Sequence, residues 1–121
     1  MKRFVLGSIA MFMLGLAPGA SAHTVVEKTN PATDAPLASS PPRIEITFKH
    51  AMQMTSVVVV DAAKTERKLA FTPATSAALI TLNEPALQVG RNEIRWKGLS
   101  KDGHVISGTL VFAVKQSSAN P

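Results

Sequence analysis

The chain has 121 residues, 45% of them hydrophobic, and its 13 basic and 8 acidic side chains give a net charge of +5. That is the length of one domain, and it is too apolar for a disordered chain. Cysteine is absent, which excludes a disulfide scaffold, a thiolate metal site, an iron–sulfur cluster and a cysteine nucleophile.

The first element is an address. Lys2 and Arg3 precede an apolar run from Phe4 to Leu16, Pro18 and Gly19 break it, and Ala20-Ser21-Ala22 follows. This is the order of a secretory signal peptide, and the apolar run is short for a membrane span. A cut after Ala22 has alanine at −1 and −3, so residues 1–22 are expected to leave and His23 to begin the mature chain. Such a signal predicts a protein exported from the cytoplasm. The remaining lysines and arginines are scattered without interleaved aromatics, which argues against a nucleic-acid partner.

Beyond the cut the apolar residues alternate and prolines punctuate the chain. A first strand is expected near Val25. After Pro41-Pro42, the residues Ile44, Ile46 and Phe48 alternate with Arg43, Glu45, Thr47 and Lys49, the period of a half-buried strand. The β-branched run Val57 to Val60 predicts a strand buried on both faces or nearly so. Leu69 and Phe71 predict a short strand. Ala78, Ile80 and Leu82 predict another, ended by Asn83 to Pro85. Ile94 and Trp96 alternate with Arg95 and Lys97, and Leu110, Phe112 and Val114 alternate near the end. Trp96 shares parity with Ile94 and is expected in the core. Seven short strands predict an all-β fold, an immunoglobulin-like antiparallel β-sandwich with Greek-key connections over residues 23–115. A small closed barrel is the alternative. Residues 116–121 read as a flexible polar tail.

The histidines are His23, His50 and His104. Cleavage before His23 frees an α-amino group on the residue that carries an imidazole. The amine and Nδ1 can close a six-membered chelate on one metal ion without help from the fold. In Asp102-Gly103-His104 a carboxylate and an imidazole stand two residues apart, and Gly103 permits a bend that brings them closer. Lys-Asp-Gly is also an ordinary turn sequence, so this pair alone is a weak signal. Together, an amine, two imidazoles and a carboxylate make an N₃O set that suits tetragonal Cu(II).

His50, Met52 and Met54 share one parity. Imidazole and thioether ligands suit Cu(I), which makes these three a candidate second, soft site. Ile44, Ile46 and Phe48 have the same parity, so Met52 and Met54 equally read as a continuation of the core face. His50 is then either a rim residue or an extra ligand. Other chemistries lack parts: there is no tyrosine, no Gly-rich phosphate loop, no recognisable serine–histidine–acid set and no evident acidic pair.

Several stretches carry a family resemblance. They are His23 after the Ala-x-Ala cut, Asn30-Pro31-Ala32-Thr33-Asp34-Ala35-Pro36-Leu37, and Pro42-x-Ile44-x-Ile46-x-Phe48. Further on come Leu87-Gln88-Val89-Gly90 with Ile94-Arg95-Trp96, then Ser100-Lys101-Asp102-Gly103-His104, then Gly108 to Val114. In these the chain resembles the periplasmic copper-resistance family CopC, of the PcoC type. The resemblance implies a β-sandwich that binds Cu(II) through the N-terminal histidine and the Asp-x-His segment, here His23, Asp102 and His104. Some members also bind Cu(I) in a Met-rich loop, whereas this mature chain keeps only Met52 and Met54.

The resulting expectation is a monomeric Cu(II) carrier or buffer in copper resistance or homeostasis, not an enzyme. Its partners would be the copper ion and copper-handling membrane or periplasmic proteins. Two alternatives belong to other classes. One is an oxidative enzyme built on a copper histidine brace, which would need a flat aromatic binding face. The other is a metal-free immunoglobulin-like interaction module.

Overall fold

The structure is a computed structural model and describes residues 25–116. The expected signal at 1–22, His23 itself and all but the first residue of the expected tail lie outside the described residues. Every described element is a strand: β1 (Val26–Asn30), β2 (Arg43–Val60), β3 (Glu66–Lys68), β4 (Phe71–Thr72), β5 (Ala77–Asn83), β6 (Gly90–Leu99) and β7 (Val105–Val114).

All pairings between these strands are antiparallel. They form two layers that share one strand. The first half of β2 lies between β1 and β5, with β4 beyond β5. Its second half lies between β3 and β6, with β7 beyond β6. The fold is therefore the expected sandwich, and β2 passes from one layer into the other.

The number of strands agrees with expectation, but three of the expected strands are drawn differently. The strands expected at Ile44–Phe48 and Val57–Val60 are one element of 18 residues. Lys49 to Ser56 contains no proline, glycine or turn sequence to stop it. The short strand expected at Leu69 and Phe71 is two. β3 pairs with β2 in one layer, β4 pairs with β5 in the other, and buried Leu69 links them.

The core is the space between the layers. Ile44, Ile46, Ile80, Leu82 and Ile94 are fully buried, and Phe48, Trp96 and Phe112 nearly so. Each such side chain contributes roughly 1.5–3 kcal/mol on leaving water. Trp96 meets Phe48 edge to face across the layers, with ring centroids 5.0 Å apart and planes at 72°. That arrangement adds about 0.5–1.5 kcal/mol beyond burial. Asn92 is the one buried polar residue of the described part. Its Oδ1 accepts from Gln88 N, and its Nδ2 donates to the carbonyls of Gln88 and Gly90. It thereby fixes the loop that leads into β6.

Candidate metal centre

The register of the strands brings three distant stretches of chain to one end of the sandwich. Val26 at the start of β1 pairs with Phe48. A few residues further along β2, Gln53 pairs with Leu99, the last residue of β6. Leu99 in turn pairs with Val105, so residues 100–104 form the β6–β7 turn beside that part of β2. The result is a groove of about 360 Å³ lined by Val25, His50, Ala51, Met52, Ser100, Lys101, Asp102 and Ile106.

The turn itself is closed by backbone bonds. Gly103 N donates to Ser100 O at 2.9 Å, and Ser100 N donates to His104 O at 2.9 Å. Gly103 has φ of 87°, the left-handed conformation that ends a type I turn in a three-residue hairpin loop. The sequence Lys101-Asp102-Gly103 is thus a turn and also a donor site, because the bend folds Asp102 back on His104. His104 Nδ1 lies 3.2 Å from Asp102 Oδ2, and both side chains are largely exposed.

Ser100 is the residue that sequence reasoning left without a role. Its hydroxyl donates to Asp102 Oδ1 at 2.5 Å and accepts from His104 N at 3.3 Å. That hydrogen bond holds the Asp102 carboxyl below the ordinary carboxylate range, and Asp102's own amide and the nearby His104 imidazole act in the same direction. An ionised carboxylate is the form a cation requires. The available signal was the Ser-x-Asp spacing, since serine and aspartate side chains bond to nearby groups in turns.

Asp102 and His104 are therefore brought together. No group of three or more His, Asp or Glu side chains is gathered for a metal among the described residues. His23, the remaining expected ligand, stands two residues before Val25, which lines the groove. Two residues of extended chain span about 7 Å. The soft set is divided. His50 is exposed and lines the groove, Met52 is buried against its floor, and Met54 is buried in the core and does not line it.

Comparisons with known proteins place this geometry in context. The family model of the CopC domain matches residues 26–115. The crystal structure of CopC from Methylosinus trichosporium OB3b superposes with a TM-score of 0.65 at 23% identity, covering 82% of this chain and 100% of that one. PcoC from Escherichia coli, described as a methionine-rich copper resistance protein, gives 0.54 at 20% identity, over 75% and 97% of the two chains. At these identities the structural likeness is one of fold. No curated protein sequence matches the chain.

Proposed function

The chain belongs to the CopC family, and from that premise we propose that it is a periplasmic copper-resistance protein that carries or buffers Cu(II). The observation that carries the reading is that Asp102, paired with His104, lines the same groove as Val25, two residues after His23. Processing after Ala22 would add the amine and Nδ1 of His23 to the carboxylate of Asp102 and the imidazole of His104. Three nitrogens and one oxygen match the preference of Cu(II) at mixed sites.

This chain's own residues supply the conditions for chelation. The Ser100 hydroxyl donates to Asp102, orienting its carboxylate and favouring the charged form. The hairpin backbone fixes the spacing of Asp102 and His104 before an ion arrives, so little ordering cost is left to binding. The exposure of both side chains lets copper exchange with a partner directly. No bond in a substrate is made or broken. Trp96 is buried and the chain has no tyrosine, so the aromatic face that an oxidative polysaccharide enzyme would need has no obvious source.

The test is a mass measurement and a Cu(II) titration on the secreted protein. One tight equivalent of Cu(II) on a chain beginning at His23 supports the reading. A retained residue 1–22 segment, or loss of no affinity on acetylating the terminal amine, would overturn it.

A further inference from the structure

We propose that the free edge of β7 pairs with the same edge of a second copy of this chain, antiparallel about a two-fold axis at Gly108. β1 and β4 end one layer of the fold, and β3 and β7 end the other. Three of these edges carry the features that keep sheet edges from pairing. β1 has Glu27 and Lys28 and a register shift between Val26 and Lys28. β3 is Glu66-Arg67-Lys68, and β4 is two residues long and runs into Pro73. β7 has none of these features. Its 10 residues include no charge and no proline, and it pairs with β6 from end to end without a shift.

Backbone directions show what is left open. Leu37 N donates to Ala113 O, and Lys115 N donates to Leu37 O. The odd residues of β7 therefore turn their N–H and C=O away from β6. Leu37 covers only the last part of the strand. Among the described residues nothing pairs with the outward groups of Val105, Ser107, Thr109 and Val111. A groove of about 530 Å³ runs beside Thr109 to Val111 and is lined also by Val26 to Thr29 of β1, so a strand has room to come alongside.

The order of residues along the edge points to a second copy as the occupant. With Gly108 opposite the partner's Gly108, Ser107 stands opposite the partner's Thr109, Val105 opposite the partner's Val111 and Ile106 opposite the partner's Leu110. Hydroxyl then meets hydroxyl and apolar side chain meets apolar side chain, the cross-strand pairs that stabilise sheets. No charge meets a like charge. The outward N–H and C=O groups of the four odd residues all find partners, and Val105, which is 67% exposed, gains cover. Such a self-complementary patch is what an isologous two-fold interface requires.

The experiment is sedimentation equilibrium of the secreted, copper-free protein over a range of concentrations. A dimer is expected for the parent. Ser107 and Thr109 are exposed, so the double variants S107K/T109K and S107E/T109E should fold with unchanged circular dichroism. Each places like charges opposite one another and should dimerise at least about tenfold more weakly than the parent. An equal mixture of the two should recover a dimer containing one chain of each, because opposite charges then face across the axis. A parent that stays monomeric at every concentration, the state expected from the sequence, overturns the proposal. So does a dimer that both double variants leave intact, or a pair of variants that does not associate when mixed.

Discussion

Met52 occupies the space that a side chain at Gly98 would need. A Cβ on residue 98 would stand 2.5 Å from Met52 Sδ and 2.8 Å from its Cγ, with Gln53 O at 3.2 Å. Met52 is thus seated on the bare backbone of β6, and the absence of a side chain at 98 is what admits it. Gly98→Ala should destabilise the fold by about 1–3 kcal/mol through overpacking. Shortening Met52 at the same time should give a double variant that loses less than the sum of the two changes. Denaturant melts of the four proteins measure this, and strict additivity would refute the contact.

The two core methionines should be replaceable without loss of copper chemistry. Met52→Leu with Met54→Leu keeps volume and apolarity, and each such swap usually costs under about 1.5 kcal/mol. Both residues are buried, at 3% and 2% exposure. Cu(II) affinity is expected to be unchanged and Cu(I) affinity little changed. If competition against a Cu(I) chelator shows an equivalent lost from the double variant, the sulfurs do form a soft site.

Removing His104 should weaken Cu(II) binding at least tenfold, about 1.4 kcal/mol. Asp102→Ala should do less, because three nitrogens remain in the proposed set. Both side chains are exposed, so thermal melting of the apo-protein should hardly move. Equal affinity in all three proteins would remove the β6–β7 turn from the centre.

The turn can also be tested through its backbone. Gly103 has a positive φ, and nothing lies within 4 Å of where its Cβ would be. The cost of Gly103→Ala is therefore conformational, about 1–2 kcal/mol, with no steric part. Copper affinity should fall as the angle between Asp102 and His104 changes. A variant that binds as the parent does would show that the bend is not what sets the pair.

Away from the site, Glu93 lies between Arg91 and Arg95, with contacts of 3.2 and 3.0 Å. Hydrogen bonds from Arg95 and then Arg91 hold its carboxyl below the ordinary glutamate range. A carboxyl with a lowered folded-state pKa contributes stability that is present above its unfolded pKa and is lost as pH falls through the folded one. Glu93→Gln should accordingly flatten the acid side of the stability–pH curve in low salt. Parallel acid limbs for the two proteins would mean that the cluster is too well screened to matter.

The sequence showed most of the layers and little of how they join. Ile44, Ile46 and Phe48 alternate on a stretch of β2 that holds one register with β5 from Arg43 to Thr47, and its burial keeps period two through Phe48. The same reading fails across β2 as a whole. Burial follows even positions through Met54 and odd positions at Val57 and Val59, and the bulge between Met54 and Ser56 makes the switch. A local pattern cannot carry a rule through such a shift, and so the two halves looked like two strands. At the centre, Asp102 and His104 were legible because they are neighbours in the chain. The approach of His50 and Val25 to them depends on pairings between residues some fifty positions apart, such as Gln53 with Leu99, which no local spacing records.

Sharing β2 between the layers also determines how the molecule comes apart. In a sandwich whose sheets have separate strands, one sheet can open while the other persists. Here the amides of β2 hold β1 and β5 at one end and β3 and β6 at the other. Releasing that strand removes the partner of both layers, so unfolding is expected to be all-or-none, with β2 amides the slowest to exchange, which native-state hydrogen exchange would check. The β6–β7 turn is carried on a strand bound to β2. An ion held there would slow proton exchange along the shared strand, far from the groove itself.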